Sequence, residues 1–142
     1  MLYQKFGQLM GESARLWKAK LNQKLKPLGL SYAKWSTLLL IDRLGSNLLL
    51  NEIAEALSIE HPTLTRVLKE LERDDWIIRQ SHPDDKRAKT VSLSKKGKEK
   101  MANIEAIIEQ IRAQILDDID QSEIEAGAKL LEKISSRLKE LD

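Results

Sequence analysis

The chain of 142 residues contains no cysteine, so disulfide bonds and thiolate metal sites are unavailable to it. Its only histidines, His61 and His82, have no second histidine or suitably spaced carboxylate beside them. We expect His61 to enter a helix and His82 to sit in a turn, with neither binding a metal. No cofactor is expected.

The residue groups that enzymes need are also missing. No nucleophile is paired with a base, and the six glycines are too scattered to form a phosphate-cradling loop. We therefore expect a protein that is not an enzyme.

Long apolar segments are absent as well. The longest uninterrupted run is Leu38–Ile41, far short of a membrane span. Residues 1–8 lack the basic stretch and apolar run that are typical of a secretory signal. A cytoplasmic, nucleoid-associated protein without membrane contact is expected.

The charges that are present are segregated along the chain. The net charge is +2, but Lys and Arg outnumber Asp and Glu in residues 1–30 and 61–100, whereas acids dominate residues 101–142. This pattern indicates an anionic partner for one part of the molecule. The alternative is that the charges only solvate helix faces.

Apolar periodicity predicts helices over residues 2–25, 31–44 and 51–57, with Ser31 as an N-terminal cap. A further helix over Pro62–Asp74 is predicted because Pro suits a first helical position and the apolar residues after it repeat at helical spacing.

The period then changes to two, which predicts short strands at 76–80 and 90–93 around the polar loop 82–89. Ser94 is expected to cap a long helix to about Asp118. Asp120 and Glu123 resemble a capping box that opens the last helix.

Together these elements predict a mainly α fold with a small β-hairpin, an α+β winged helix-turn-helix. We expect a DNA-binding lobe at residues 31–94, with its recognition helix at 62–74 and its wing at 77–93. Residues 1–30 and 95–142 are expected to form a helical dimerisation arm.

A helix of this kind fits the major groove of double-stranded DNA, and its N-terminal residues usually lead. Arg66 can donate two hydrogen bonds to a guanine edge, while Lys69 and Arg73 are expected to meet phosphates. The predicted recognition residues are Pro62, Thr63, Thr65, Arg66, Lys69 and Arg73.

The wing loop carries the basic residues Lys86, Arg87 and Lys89. A narrow basic loop can reach the minor groove, where Arg responds to the negative potential. Asp85 could brace Arg87 through a forked salt bridge.

Apolar stripes on the first and last helices exceed what one winged domain can cover, which predicts a homodimer. The predicted interface residues are Leu2, Phe6, Leu9, Ile108, Ile111, Ile115, Leu131, Ile134 and Leu138. The alternative function is a winged-helix protein-interaction module that never binds DNA. For Trp17 and Trp35 a core position and a site position both stay open, whereas Trp76 is expected in the core.

Four segments resemble the MarR family of bacterial regulators: Asn51–Leu57, Thr63–Glu72, Asp85–Arg87 and Leu93–Gly97. The resemblance extends to the SlyA branch of that family through Arg15–Ala19, Leu25–Leu30, Trp35 and Ile59–Pro62.

The resemblance implies a triangular homodimer on an imperfect palindrome, acting as a repressor or an activator. It also implies that Arg66 reads the major groove and that Arg87, braced by Asp85, enters the minor groove. Many members bind small aromatic anions, so an aromatic carboxylate effector is expected in a cleft lined by Arg15, Trp17 and Trp35.

Overall fold

The computed structural model describes all residues from Met1 to Asp142. Six helices and three short strands follow one another, which confirms the predicted mainly α fold with a small antiparallel sheet. The helices are α1 Leu2–Leu25, α2 Tyr32–Leu44, α3 Leu50–Leu57, α4 His61–Arg73, α5 Lys95–Ile115 and α6 Gln121–Glu140; the strands are β1 Leu48–Leu49, β2 Ile77–Ser81 and β3 Lys89–Leu93. The chain packs as two compact units, residues 1–106 and 107–142.

Local signals fix the ends of the first two helices. α1 covers the predicted residues and passes into a 3₁₀ turn that ends at Gly29, which has a positive φ of 76°. The Ser31 Oγ accepts a hydrogen bond from the backbone N–H of Lys34 at 3.2 Å, so α2 begins with the predicted cap. α2 then ends at Gly45, whose φ of 104° suits only glycine without strain.

The α4 helix begins one residue earlier than predicted. Glu60 is its N-cap, so Pro62 occupies the second helical position, where its missing N–H is equally harmless. Leu64, Leu68 and Leu71 are fully buried on the inner side of α4. The helical repeat of these residues therefore decides which side of α4 faces outward.

The sheet has the order β1-β3-β2 with antiparallel pairing throughout. β2 and β3 form the predicted hairpin, in which Ile77 pairs with Leu93. β2 lies one residue later than predicted, and β3 begins one residue earlier but ends at the predicted Leu93. β1 was not predicted because two residues are too short to give a periodic signal. The Ser92 Oγ helps to hold β1 by accepting a hydrogen bond from the Asn47 N–H at 2.9 Å.

The core of the first unit is formed by residues from α1 to α5 and from the sheet. Trp76 is buried there, as predicted. The largest fully buried side chains of the unit are Trp35, Leu21, Leu25, Leu38, Ile41, Ile53, Leu64, Leu68, Leu71, Ile77 and Val91. None of the helices combines the length and the apolar character that crossing a membrane requires.

The structure corrects three predictions about the C-terminal helices. α5 ends at Ile115 instead of Asp118. Ile108 and Ile111 are buried within the chain itself, so neither side chain belongs to a surface that a partner can reach. α6 begins after Asp120 as predicted, but the capping box is not formed, because the N–H of Glu123 donates to the backbone carbonyl of Asp120 at 3.0 Å instead of to its side chain.

Candidate nucleic-acid interface

The turn between α3 and α4 is only three residues long. Ser58 takes a left-handed conformation with φ of 55°, and its N–H donates to the carbonyl of Glu55 at 3.2 Å. The N–H of Ile59 then donates to the carbonyl of Ala54, also at 3.2 Å. These bonds end α3 abruptly and allow α4 to begin at His61, in the arrangement of a helix-turn-helix.

The outer face of α4 carries the residues that the sequence predicted for base and phosphate contacts. Thr65 is half-buried, and the other five are exposed: Pro62, Thr63, Arg66, Lys69 and Arg73. They are brought together by the helical repeat, opposite the buried leucines. Arg66 and Lys69 have no carboxylate within 4.0 Å, so their charges are free for an outside partner.

Arg73 differs from the other basic residues of α4 because it has a partner. Its Nε lies 3.3 Å from the Oδ1 of Asp74 and donates a hydrogen bond to it. This hydrogen bond holds the pKa of Asp74 below its usual value and raises that of Arg73. The pairing was not predicted, and it leaves Arg73 less available for a phosphate than Arg66.

The wing loop between β2 and β3 is closed by its own hydrogen bonds. The N–H of His82 donates to the carbonyl of Ala88 at 2.8 Å, and the N–H of Asp84 donates to the His82 Nδ1 at 3.0 Å. His82 therefore shapes the turn. The loop presents Lys86, Arg87 and Lys89 as exposed cations at and beside its tip.

Asp85 contacts Arg87 in two ways. Its Oδ1 accepts a hydrogen bond from the Arg87 backbone N–H at 3.0 Å and lies 3.7 Å from the guanidinium Nε. The predicted forked salt bridge is wrong, since this single oxygen makes both contacts and is already engaged by the backbone. The Arg87 side chain is 96% exposed and free to meet a partner.

Sequence reasoning missed two basic residues near this surface. Arg79 lies on β2 opposite Val91, and its Nε is buried without a hydrogen-bond partner. Lys96 donates from Nζ to the carbonyl of Asp74 at 3.2 Å. The sequence could have indicated that Arg79 is partly buried, because it follows the buried Ile77 by two residues. Residues two apart in a strand have side chains on the same face.

The three residues predicted for an effector cleft have different environments. Arg15 is exposed and Trp17 is half-buried on α1, two positions apart. Trp35 is 1% exposed, and its indole Nε1 has no hydrogen-bond partner. Trp35 therefore belongs to the core, and its side chain lines no open cleft in this structure. The surface part of the predicted cleft reduces to Arg15 and Trp17.

A short helix, a three-residue turn, a second helix with an outward polar face and a β-hairpin define a winged helix-turn-helix protein. A family model described as MarR family matches residues 30–89. The solved structure of the transcriptional regulator PA3341 is 35% identical in sequence, covers 96% of this chain and 99% of its own, and superposes with a TM-score of 0.83. The chain belongs to the MarR family.

Two further solved structures share the fold. The MepR–DNA complex from S. aureus is 25% identical and has a TM-score of 0.80, with 94% of this chain and 96% of that chain covered. The transcriptional regulator SlyA is 23% identical and has a TM-score of 0.83, with 95% of this chain and 94% of that chain covered.

Proposed function

We propose that the protein is a transcriptional regulator that binds double-stranded DNA sequence-specifically as a homodimer on a pseudo-palindromic operator. The observation that carries this proposal is the pairing of two basic features in one compact unit. The free cations Arg66 and Lys69 lie on the outer face of α4, and the wing that follows α4 carries the exposed Arg87. The similar protein MepR was solved in complex with DNA.

The recognition helix α4 supplies base and phosphate contacts in this proposal. Pro62 and Thr63 lead into the major groove, and Thr65 contacts a thymine methyl group or a phosphate. Arg66 donates two hydrogen bonds to the O6 and N7 of a guanine, which distinguishes guanine from the other bases. Lys69 and Arg73 lie further along the helix and neutralise phosphates.

The wing supplies contacts at the neighbouring minor groove. Arg87 enters the groove, where the negative potential is high, and Lys86 and Lys89 meet the flanking phosphates. Asp85 holds the turn from which Arg87 projects. Arg79 adds positive charge at the base of the wing, on the same strand.

Exposed apolar residues on the terminal helices support the homodimer. α6 has 20 residues and none of them is buried, which is a costly arrangement for an isolated helix that carries several leucines. A second copy of the chain would cover this surface and that of α1. The interface residues proposed on this basis are Leu2, Phe6, Leu9, Ile115, Leu131, Ile134 and Leu138.

The proposed functional boundaries follow from these roles. Residues 1–30 and 95–142 form the dimerisation arm, and residues 31–94 form the DNA-binding lobe. A two-fold dimer presents two copies of α4, so the operator has two related half-sites about one helical turn apart.

We further propose that the protein belongs to the SlyA branch and acts in the cytoplasm on nucleoid DNA. A small aromatic carboxylate is the proposed effector, with Arg15 as the cation for its carboxylate and Trp17 as a surface for its ring. Titration with benzoate and related anions should change tryptophan fluorescence and weaken DNA binding. Trp17→Phe should abolish the fluorescence change; an unchanged signal in the wild type would remove this part of the proposal.

Selection of bound fragments from random duplex DNA tests the main proposal directly. We expect enrichment of an inverted repeat. Binding should weaken with salt, and a plot of the logarithm of the association constant against the logarithm of the salt concentration should have a slope of about −0.9 for each neutralised phosphate. A scrambled repeat serves as the control. A protein-interaction module without DNA binding would enrich no sequence and give a flat salt dependence.

A further inference from the structure

Hydrogen bonds link the end of the recognition helix to the start of α5 through Asp75 and Trp76, which lie just after α4. The N–H of Trp76 donates to the carbonyl of Leu71 in α4, and the N–H of Ser94 donates to the carbonyl of Trp76, both at 2.9 Å. The Ser94 Oγ donates to the carbonyl of Asp75 at 2.6 Å and accepts from the N–H of Gly97 at 2.9 Å. We call the cluster of Leu71, Asp75, Trp76, Ser94 and Gly97 the α4–α5 joint.

Gly97 permits the close approach on which this joint depends. A Cβ atom added at Gly97 would collide with the backbone carbonyl oxygen of Trp76 and would come within 3.3 Å of the Ser94 Oγ. The other helical glycines, Gly7, Gly11 and Gly127, have nothing within 4 Å of an added Cβ. Gly97 is thus the helical glycine at which a side chain would not fit. The atom that it would meet is the Trp76 carbonyl oxygen, which belongs to the backbone and cannot rotate away as a side chain could.

The joint is buried and braced on its outer side. Trp76 and Ser94 are each 5% exposed. The Nζ of Lys100, one turn along α5, lies 5.6 Å from the centre of the Trp76 ring, and the Nζ of Lys96 donates to the carbonyl of Asp74. The first turn of α5 is therefore fixed by backbone, hydroxyl and cation contacts on the segment Asp74–Trp76, which follows α4 directly.

We propose that Ser94 and Gly97 are positioning residues that set the distance between the two recognition helices of the dimer, and so the spacing of half-sites that the protein accepts. This inference rests on the proposed homodimer. α5 has 21 residues and leads from the joint into the dimerisation arm. Such a helix is about 30 Å long, so a tilt of about 5° at its first turn moves its far end by roughly 3 Å, close to the rise of one base pair.

A purely structural role for the joint predicts something different. Loss of its contacts would then lower the stability of the lobe and weaken binding to every DNA in the same proportion. A positioning role predicts a change in which spacing binds best, because each half-site contact survives while the distance between the two contacts changes.

A distance measurement in the absence of DNA tests the proposal first. Because the chain has no cysteine, Glu72→Cys on the exposed side of α4 can carry a single spin label. We expect one well-defined distance between the two labels of the parent dimer, a shift of roughly 3 Å or more with Gly97→Ala, and no shift with the control Glu99→Ala, which changes an exposed α5 side chain outside the joint. A folded, dimeric Gly97→Ala protein with the parent distance would overturn the proposal.

DNA binding supplies the second measurement. The inverted repeat selected by the wild type is altered by adding or removing one or two base pairs between its halves. We expect Gly97→Ala to lose at least tenfold in affinity at the wild-type spacing, to regain part of it at another spacing, and to bind scrambled DNA as the wild type does. Equal losses on every duplex, scrambled DNA included, would contradict a positioning role.

Ser94→Ala keeps the test valid if Gly97→Ala does not fold. It adds no atom and removes the two hydrogen bonds of the Ser94 hydroxyl, so we expect a broader distribution of label distances and a flatter spacing preference. Wild-type values for both would overturn the proposal. If the labelled parent protein showed no spin–spin distance at all, the homodimer itself would be overturned. Failure of the positioning role and failure of the homodimer therefore give different results.

Discussion

The Oδ1 of Asp85 accepts a hydrogen bond from the backbone N–H of Arg87 at 3.0 Å, whereas it lies 3.7 Å from the guanidinium Nε of the same residue. The backbone contact is the shorter one, and the ion pair is exposed to solvent, where such pairs contribute little. The first effect of Asp85 is therefore on the shape of the wing turn, and its effect on the guanidinium is secondary.

Two substitutions at Asp85 separate these effects. Asp85→Asn keeps the oxygen acceptor and removes a negative charge beside the DNA, so we expect affinity equal to or above that of the wild type. Asp85→Ala removes the acceptor and should weaken binding by about 0.5–1.5 kcal/mol, the usual net value of one hydrogen bond. Fluorescence anisotropy on the selected operator measures both, and equal weakening by Asn and Ala would contradict a role in the turn.

Arg66→Ala should weaken operator binding and also relax the base preference at one position in each half-site. The expected loss is about 1–3 kcal/mol per half-site, because Arg66 is exposed, has no ion-pair partner and can make a bidentate contact to guanine. Arg87→Ala should instead weaken binding to all sequences alike. Binding to operators with single base changes distinguishes the two.

The matched control for these arginines is Arg43→Ala, which removes an exposed arginine at the end of α2 that has no proposed DNA contact. It should leave affinity and base preference near their wild-type values. If Arg66→Ala gave the same small effect as Arg43→Ala, α4 would not be the recognition helix.

Leu131→Lys should convert the proposed dimer to a monomer. Burying the exposed half of one leucine contributes about 0.8–1.5 kcal/mol and the two-fold axis doubles the effect, so the dimer dissociation constant should rise by roughly 10–10²-fold. Leu131 and Leu44 are each 50% exposed in the single chain, which makes Leu44→Lys in α2 a close control. Analytical ultracentrifugation should find Leu131→Lys monomeric and Leu44→Lys dimeric; two dimers would exclude α6 from the interface.

The Arg73–Asp74 pair predicts a small dependence of stability on pH. The hydrogen bond from Arg73 lowers the pKa of Asp74 in the folded protein below the usual value of an aspartate. The stabilisation is therefore present above the unfolded pKa and is lost as the pH falls through the folded pKa. Thermal unfolding of the wild type and Arg73→Gln should differ slightly at neutral pH, and the difference should vanish in strong acid and in 1 M salt. A difference that grew in acid would contradict this assignment.

Much of the fold was predictable because it depends on local chemistry. The bounds of α1, the Ser31 cap, the Gly45 end of α2 and the outward face of α4 all follow from residues within one or two turns of each other. The exposed cations of α4 and the wing were predictable for the same reason. The helical repeat of α4 and the hairpin turn direct these side chains to the solvent, however the other elements pack.

Other features depend on residues far apart in the sequence and had no local signal. β1 exists only because Leu48 pairs with Val91 on β3. Trp35 suited a cleft or the core equally well as a sequence feature, and its packing put it in the core. Ile108 and Ile111 fit a partner-facing seam by their spacing, yet the chain buries them itself.

The sequence alone thus determined which helices form, which of their sides are apolar and which carry the positive charge, since these depend on short-range hydrogen bonds and on helical periodicity. The tertiary structure decided which apolar residues the chain buries for itself, that Arg73 pairs with Asp74, and that Gly97 must be small because the Trp76 carbonyl lies against it. Contacts of that kind depend on how distant segments meet in space, which no local pattern of residues specifies.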